Sequence, residues 1–170
     1  VGSYDAACEP AMKVDIRELV DASGHFDGVE TVTVEDPAGD EIVAPCRVHV
    51  EYRQSHATVH FTGTVGATLP TQCHRCLDPV RQDVAGDFEL MVRRGEHAAE
   101  AGDDVVTLPL HQYEVDLGPY VHEAVVLSTP MLVVCREDCR GLCPSCGVNL
   151  NRETCACGPG ADPRWDALRK

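Results

Sequence analysis

The chain has 170 residues, 44% of them hydrophobic, 25% charged and only 5% aromatic, which suits about one folded domain whose core rests on Val, Leu and Ala. Its formal net charge of −14 argues against broad, sequence-independent nucleic-acid binding, which needs clustered positive charge. No basic region followed by an apolar run opens the sequence, and the most apolar stretch, Ala124 to Val134, is interrupted by Ser128, Thr129 and Pro130 and is too short for a bilayer span. A cytoplasmic location is therefore expected, with no membrane partner and no small-molecule substrate.

In chain order, Ile16, Leu19 and Val20 fall on one face at helical spacing and predict a short helix over Val14–Val20, broken by Ser23-Gly24. Val29–Glu35 alternates apolar and polar residues, and Asp36-Pro37-Ala38-Gly39-Asp40 is a turn cluster. Val48, Val50 and Tyr52 alternate with polar neighbours. From Ala57 to Leu69 the odd positions are Ala, Val, Phe, Gly and Leu, and the even ones Thr, His and Gly. This two-residue period marks a strand with one wet face. Pro70 predicts a break before Cys73, after which Phe88, Leu90 and Val92 resume the strand pattern. Arg93 to Asp104 reads as a mobile acidic loop. Asp116, Pro119 and the stripe Tyr120, Val121, Ala124, Val125 predict a helix that ends at Thr129-Pro130. A last helix is expected from Asp162-Pro163, with Trp165 and Leu168 turned to the core. The expected fold class is α+β: an antiparallel β-sheet body with a few helices over residues 1–134, and a cysteine-rich zinc-binding segment over 135–170 packed on it.

Eight of the ten cysteines fall in chelating groups: Cys73-x-x-Cys76, Cys135-x-x-x-Cys139, Cys143-x-x-Cys146 and Cys155-x-Cys157. Without an export signal, metal binding is favoured over a disulfide framework. Zinc takes four thiolates in a tetrahedron. Pro144 stiffens the Cys143–Cys146 turn, the trailing Gly147 can take a positive φ, and eight residues suffice to bring Cys155 and Cys157 round. Cys143, Cys146, Cys155 and Cys157 thus form a local zinc site. Cys73 and Cys76 need partners from elsewhere, and Cys135 and Cys139 are available. One zinc with free remaining thiols, or shuffled pairings between two sites, stay open. Cys8 and Cys46 read as bland thiols. His74 could hydrogen-bond a sulfur without being a ligand, and His49, His56 and His60 suit the wet face. A redox dithiol at Cys73-x-x-Cys76 is a competing reading, but the strand-then-helix setting of thioredoxin motifs is missing. No nucleophile–base order or phosphate loop stands out, and zinc closed by four thiolates keeps no position for water, so no catalytic residue and no enzyme is expected.

Charge is uneven. Residues 1–132 hold 8 Lys and Arg against 23 Asp and Glu, whereas residues 133–170 hold 6 against 5. Any anionic partner would meet the C-terminal segment, through Arg136, Arg140, Arg152, Arg164, Arg169 and Lys170. Local ion pairing is the plainer role for these side chains.

Cys73-His-Arg-Cys76-Leu-Asp-Pro, Cys135-x-x-x-Cys139-x-Gly-Leu-Cys143-Pro-x-Cys146-Gly-x-Asn149-Leu-Asn151, Cys155-x-Cys157 and Asp162-Pro-Arg164-Trp165 together resemble the bacterial YceD family, the large ribosomal RNA subunit accumulation protein. The resemblance runs over roughly residues 12–170. It implies a non-enzymatic ribosome-biogenesis factor acting on a large-subunit precursor, through ribosomal protein, ribosomal RNA or both. The acidic body favours protein contacts. A zinc-stabilised interaction module with a non-ribosomal partner is the alternative.

Overall fold

A computed structural model describes residues 12–35, 41–95 and 105–158. Its contacts divide the chain into two compact units: Val1–Leu69 with Asp83–Thr129, and Pro70–Gln82 with Pro130–Lys170. The Cys73-x-x-Cys76 loop therefore groups with the C-terminal cysteines.

The strand elements are β1 (Lys13–Asp15), β2 (Ser23–Glu35), β3 (Glu41–Ser55), β4 (Thr58–Gln72), β5 (Pro79–Arg94), β6 (Val105–Leu108) and β7 (Glu114–Asp116). One helix, α1 (Gly118–Ser128), follows them. Five strands form a sheet in the order β2-β3-β4-β5-β6, and β1 pairs antiparallel with β7 in a separate two-stranded sheet. Alternation decides which face is buried. In β4 Val59, Phe61, Val65, Ala67 and Leu69 are buried, and they meet Val48 and Val50 of β3, Val32 of β2, and Leu90 and Val92 of β5 in one core. Gly63 stands in the same row without a side chain because the Phe88 ring fills the space a Cβ would need.

The expected helix over Val14–Val20 does not form. Val14 is in β1, and the Asp15 carboxylate accepts the backbone N–H of Arg17 at 2.9 Å, holding a turn instead. Ile16 and Leu19 still pack on the core, whereas Val20 is 90% exposed. Ser23-Gly24 opens β2 rather than ending a helix. Pro70 does not break β4 either. The β3 ladder along β4 stops at Ala67, so proline removes no donor that β3 needs. The sheet is mixed rather than antiparallel, because β6 lies parallel to β5. The 36–40 turn and most of the acidic loop, residues 96–104, lie outside the described residues; Arg93 and Arg94 belong to β5.

Helix α1 forms where its sequence directs, but Leu117 rather than Asp116 is its N-cap and makes no side-chain cap bond. Asp116 Oδ1 accepts the Gly118 N–H at 2.8 Å, proline sits in the first turn, and Val121, Ala124 and Val125 face the core. Thr129 ends it in extended geometry, as a residue before proline must. Gly86 of β5 lets the helix approach closely: a Cβ there would lie 2.7 Å from the Ala124 carbonyl. Among the described residues this is the one helix, against the several expected. The helix from Asp162, with Trp165 and Leu168, lies outside them.

Candidate metal centre

The second unit contains two hairpin-like knuckles of matching geometry. In the first, Cys73 N–H donates to the Asp78 carbonyl at 2.8 Å and Leu77 N–H to the Cys73 carbonyl at 2.9 Å. In the second, Cys143 N–H donates to Val148 O at 2.9 Å and Gly147 N–H to Cys143 O at 2.8 Å. The turn requires a left-handed residue just after the second cysteine. Gly147 supplies it at φ 73°, and Leu77 supplies it at φ 59°.

The sulfurs gather into two groups. Those of Cys73, Cys76, Cys135 and Cys139 all lie within 4.8 Å of one another, as do those of Cys143, Cys146, Cys155 and Cys157. The chain closes the first group by bringing Cys139 to 3.8 Å from Cys73 and Cys135 to 3.6 Å from Cys76. A tetrahedral ion with metal–sulfur bonds of about 2.3 Å requires sulfur–sulfur edges of about 3.8 Å, so the donor set fits such an ion. Either tetrad can hold one.

The tetrads differ in surroundings. Cys73, Cys76 and Cys139 are buried with Val80 packed on them, and only Cys135 is exposed. In the other tetrad Cys143 alone is buried. Around the first, Arg75 N–H donates to Cys73 Sγ at 3.4 Å and Asn151 Nδ2 to Cys139 Sγ at 3.3 Å. Such bonds orient a ligand and temper its charge. Asn151 Oδ1 also accepts from Arg140 N–H at 2.8 Å and from Arg136 at 3.0 Å. Asp78 accepts from Asn149 at 3.2 Å and Arg152 at 2.6 Å, and thereby ties the two knuckles together.

These dipoles move the thiols apart in acidity. Burial opposes ionising Cys73, but N–H groups of Cys135, Cys76 and Arg75 outweigh it and draw the thiol down to about 6. The Cys146 and Ser145 N–H groups draw Cys143 down to about 6. The neighbouring Cys146 sulfur pushes Cys157 up to about 12. Asp78 lowers Cys76 through its backbone, yet burial and the adjacent sulfurs together push it up to about 12. In each tetrad one thiol, Cys73 or Cys143, is thereby drawn toward the thiolate form that a metal ligand must take.

His74 bonds no sulfur. Its Nδ1 meets the Val133 backbone at 3.0 Å to N and 3.1 Å to O, and its own N–H reaches the Val133 carbonyl. His49 and His60 lie on the wet face, 2.7 Å from Asp27 and 2.6 Å from Glu89. Cys46 is buried in the core, and Cys8 lies outside the described residues. Of the six basic residues singled out in the sequence, Arg136 pairs with Asp138 at 3.2 Å and Arg152 with Asp78. Arg140 is exposed, and Arg164, Arg169 and Lys170 lie outside the described residues. Asp78, Arg75 and Asn151 stand in the motifs that carry the family resemblance, but their hydrogen bonds to the cysteine segments are visible only in the structure.

Residues 61–170, which include all eight tetrad cysteines, match the family model described as Large ribosomal RNA subunit accumulation protein YceD. The chain belongs to the YceD family. An uncharacterized protein of Mycobacterium tuberculosis is 38% identical over 111 residues, covering 65% of this chain and 54% of that relative. The YceD family also includes a maize relative named "Large ribosomal RNA subunit accumulation protein YCED homolog 1, chloroplastic", 24% identical over 153 residues, 73% of this chain and 52% of the relative. The Arabidopsis thaliana protein of the same name is 22% identical over 141 residues, 67% and 44% respectively. The chain spans about half the length of the curated relatives it matches. No solved structure matches it. Among the described residues no helix is long and apolar enough to cross a membrane.

Proposed function

We propose that this chain is a non-enzymatic ribosome-biogenesis factor, acting in the cytoplasm, that supports the synthesis, stability or accumulation of large-subunit ribosomal RNA. The observation that carries this reading is the family match across the segment that contains both tetrads. In this reading two zinc ions, held by Cys73, Cys76, Cys135 and Cys139 and by Cys143, Cys146, Cys155 and Cys157, fix the second unit as a rigid contact surface. Thiolate sets in tetrahedral geometry suit zinc, and four protein ligands leave no position for a reacting water.

The first unit supports contact with basic ribosomal protein in preference to bare RNA. Its wet sheet face carries exposed Asp27, Glu51, Asp87 and Glu89, and complementary charge speeds and orients such an encounter.

The test is gradient sedimentation of the tagged protein from its own cells, probed alongside ribosomal RNA and proteins. Co-migration with large-subunit precursors, lost when zinc is stripped, is the expected result. Migration only at the top of the gradient, with no ribosomal component attached, would overturn it in favour of a zinc-stabilised module with a non-ribosomal partner.

A further inference from the structure

The first unit holds a cavity of about 390 Å³, bounded by the turn after β1, the β3–β4 turn, the end of β5 and the loop before β7. In a chain with twice as many acids as bases, no acid lines it, while Arg17, Arg94, His56, Gln54 and Tyr113 do. Both guanidiniums are stacked on the same ring: the Arg17 and Arg94 Cζ atoms lie 4.6 and 4.3 Å from the Tyr113 centroid. Stacking fixes the two planes without consuming their N–H groups.

The donors are unequally occupied. Arg17 uses Nε and Nη2 on the Asp15 carboxylate. Arg94 gives Nη2 to the Leu110 carbonyl, and no carboxylate pairs with it among the described residues. Its Nε is buried and has no hydrogen-bond partner among the described residues. A guanidinium with one buried, unmet donor is costly, and charge-assisted bonds from its other N–H groups to an oxyanion would offset that cost.

We propose that this cavity binds a phosphoryl oxyanion, either free phosphate or the phosphate of a small nucleotide. Arg94 is the principal donor, Arg17, whose charge the Asp15 carboxylate already meets, a weaker second donor, and Tyr113 the platform that orders both. The adjoining pair of N–H groups on a guanidinium edge matches two oxygens of such an anion. The remaining volume has room for a sugar beyond the phosphate. The site is separate from the cysteine tetrads and does not depend on the ribosomal reading.

The test follows the arginine Nε–Hε resonances of the full, zinc-loaded chain during titration with inorganic phosphate, uridine 5′-monophosphate or acetate at fixed ionic strength. A saturating shift of the Arg94 signal with phosphate or with the nucleotide is expected. Tighter binding of the nucleotide would assign a phosphate carried on a sugar, and equal binding would assign free phosphate. Arg94→Lys keeps the charge but loses the two-donor edge, and should weaken binding by about tenfold or more. Arg17→Lys is a second variant in case the first alters the melting profile. A shift that stays linear with phosphate, saturation by acetate alone, or undiminished binding by a folded Arg94→Lys protein would each overturn the proposal.

Discussion

The two cysteine knuckles share one backbone design and differ in almost everything around it. The first joins residues 59 to 66 positions apart, is mostly buried, and has Asn151 and Arg75 bonded to its sulfurs. The second closes within Cys143–Cys157 and leaves Cys146 and Cys157 exposed. The same turn thus serves as a long-range clasp in one place and as a local loop in the other. Burial and the side-chain bond from Asn151 should make the clasp the slower of the two to release a bound ion.

The largest effect should come from breaking the clasp. Cys139→Ser should cost one equivalent of metal and unfold the second unit, because structural zinc contributes on the order of 10 kcal/mol of folding energy; metal content and protease resistance measure this. Cys155→Ser should remove the other equivalent and leave the first tetrad loaded. Equal disruption by both would erase the distinction between clasp and loop. Chelator challenge of the intact protein should release metal in two phases, the exposed tetrad first. A single phase from all eight thiolates would contradict that order.

Smaller changes sharpen the comparison. Asn151→Ala removes the bond to Cys139 Sγ and should lower metal affinity at the first tetrad alone by about 10- to 100-fold. Gly147→Ala meets nothing within 4 Å, so its cost is backbone strain at φ 73°, about 1–2 kcal/mol in thermal or denaturant melts. Leu77→Gly is the mirror experiment. Leu77 is 58% exposed and already left-handed, so glycine should relieve strain and raise stability by up to about 1 kcal/mol after its entropic cost.

The alternation of Ala57 to Leu69 was legible because one face of β4 is wet and the other dry, and α1 was legible because proline and its apolar stripe agree. The Val14–Val20 stretch misled, because a short apolar spacing fits a turn that packs on a core as well as a helix, and the Asp15–Arg17 contact decides between them. The parallel placement of β6 depends on a connection whose path no periodicity encodes. The spacing of Cys143, Cys146, Cys155 and Cys157 favours a local site, since eight residues suffice to bring the two pairs together. The joining of Cys73 and Cys76 to Cys135 and Cys139 depends on where the intervening chain folds. Tyr113 with Arg17 and Arg94 was invisible for the same reason: three ordinary residues far apart in sequence meet only once the strands are in place.

The separation of the two halves of the clasp also orders events during synthesis. Cys73 and Cys76 leave the ribosome long before Cys135 and Cys139, and the intervening chain includes β6, β7 and α1. At a few to twenty residues per second the early pair waits for several seconds with two of its four ligands missing. An ion at this tetrad could be locked in only after every element of the first unit has been translated, so metal capture there would mark a nearly finished chain and leave a truncated one open.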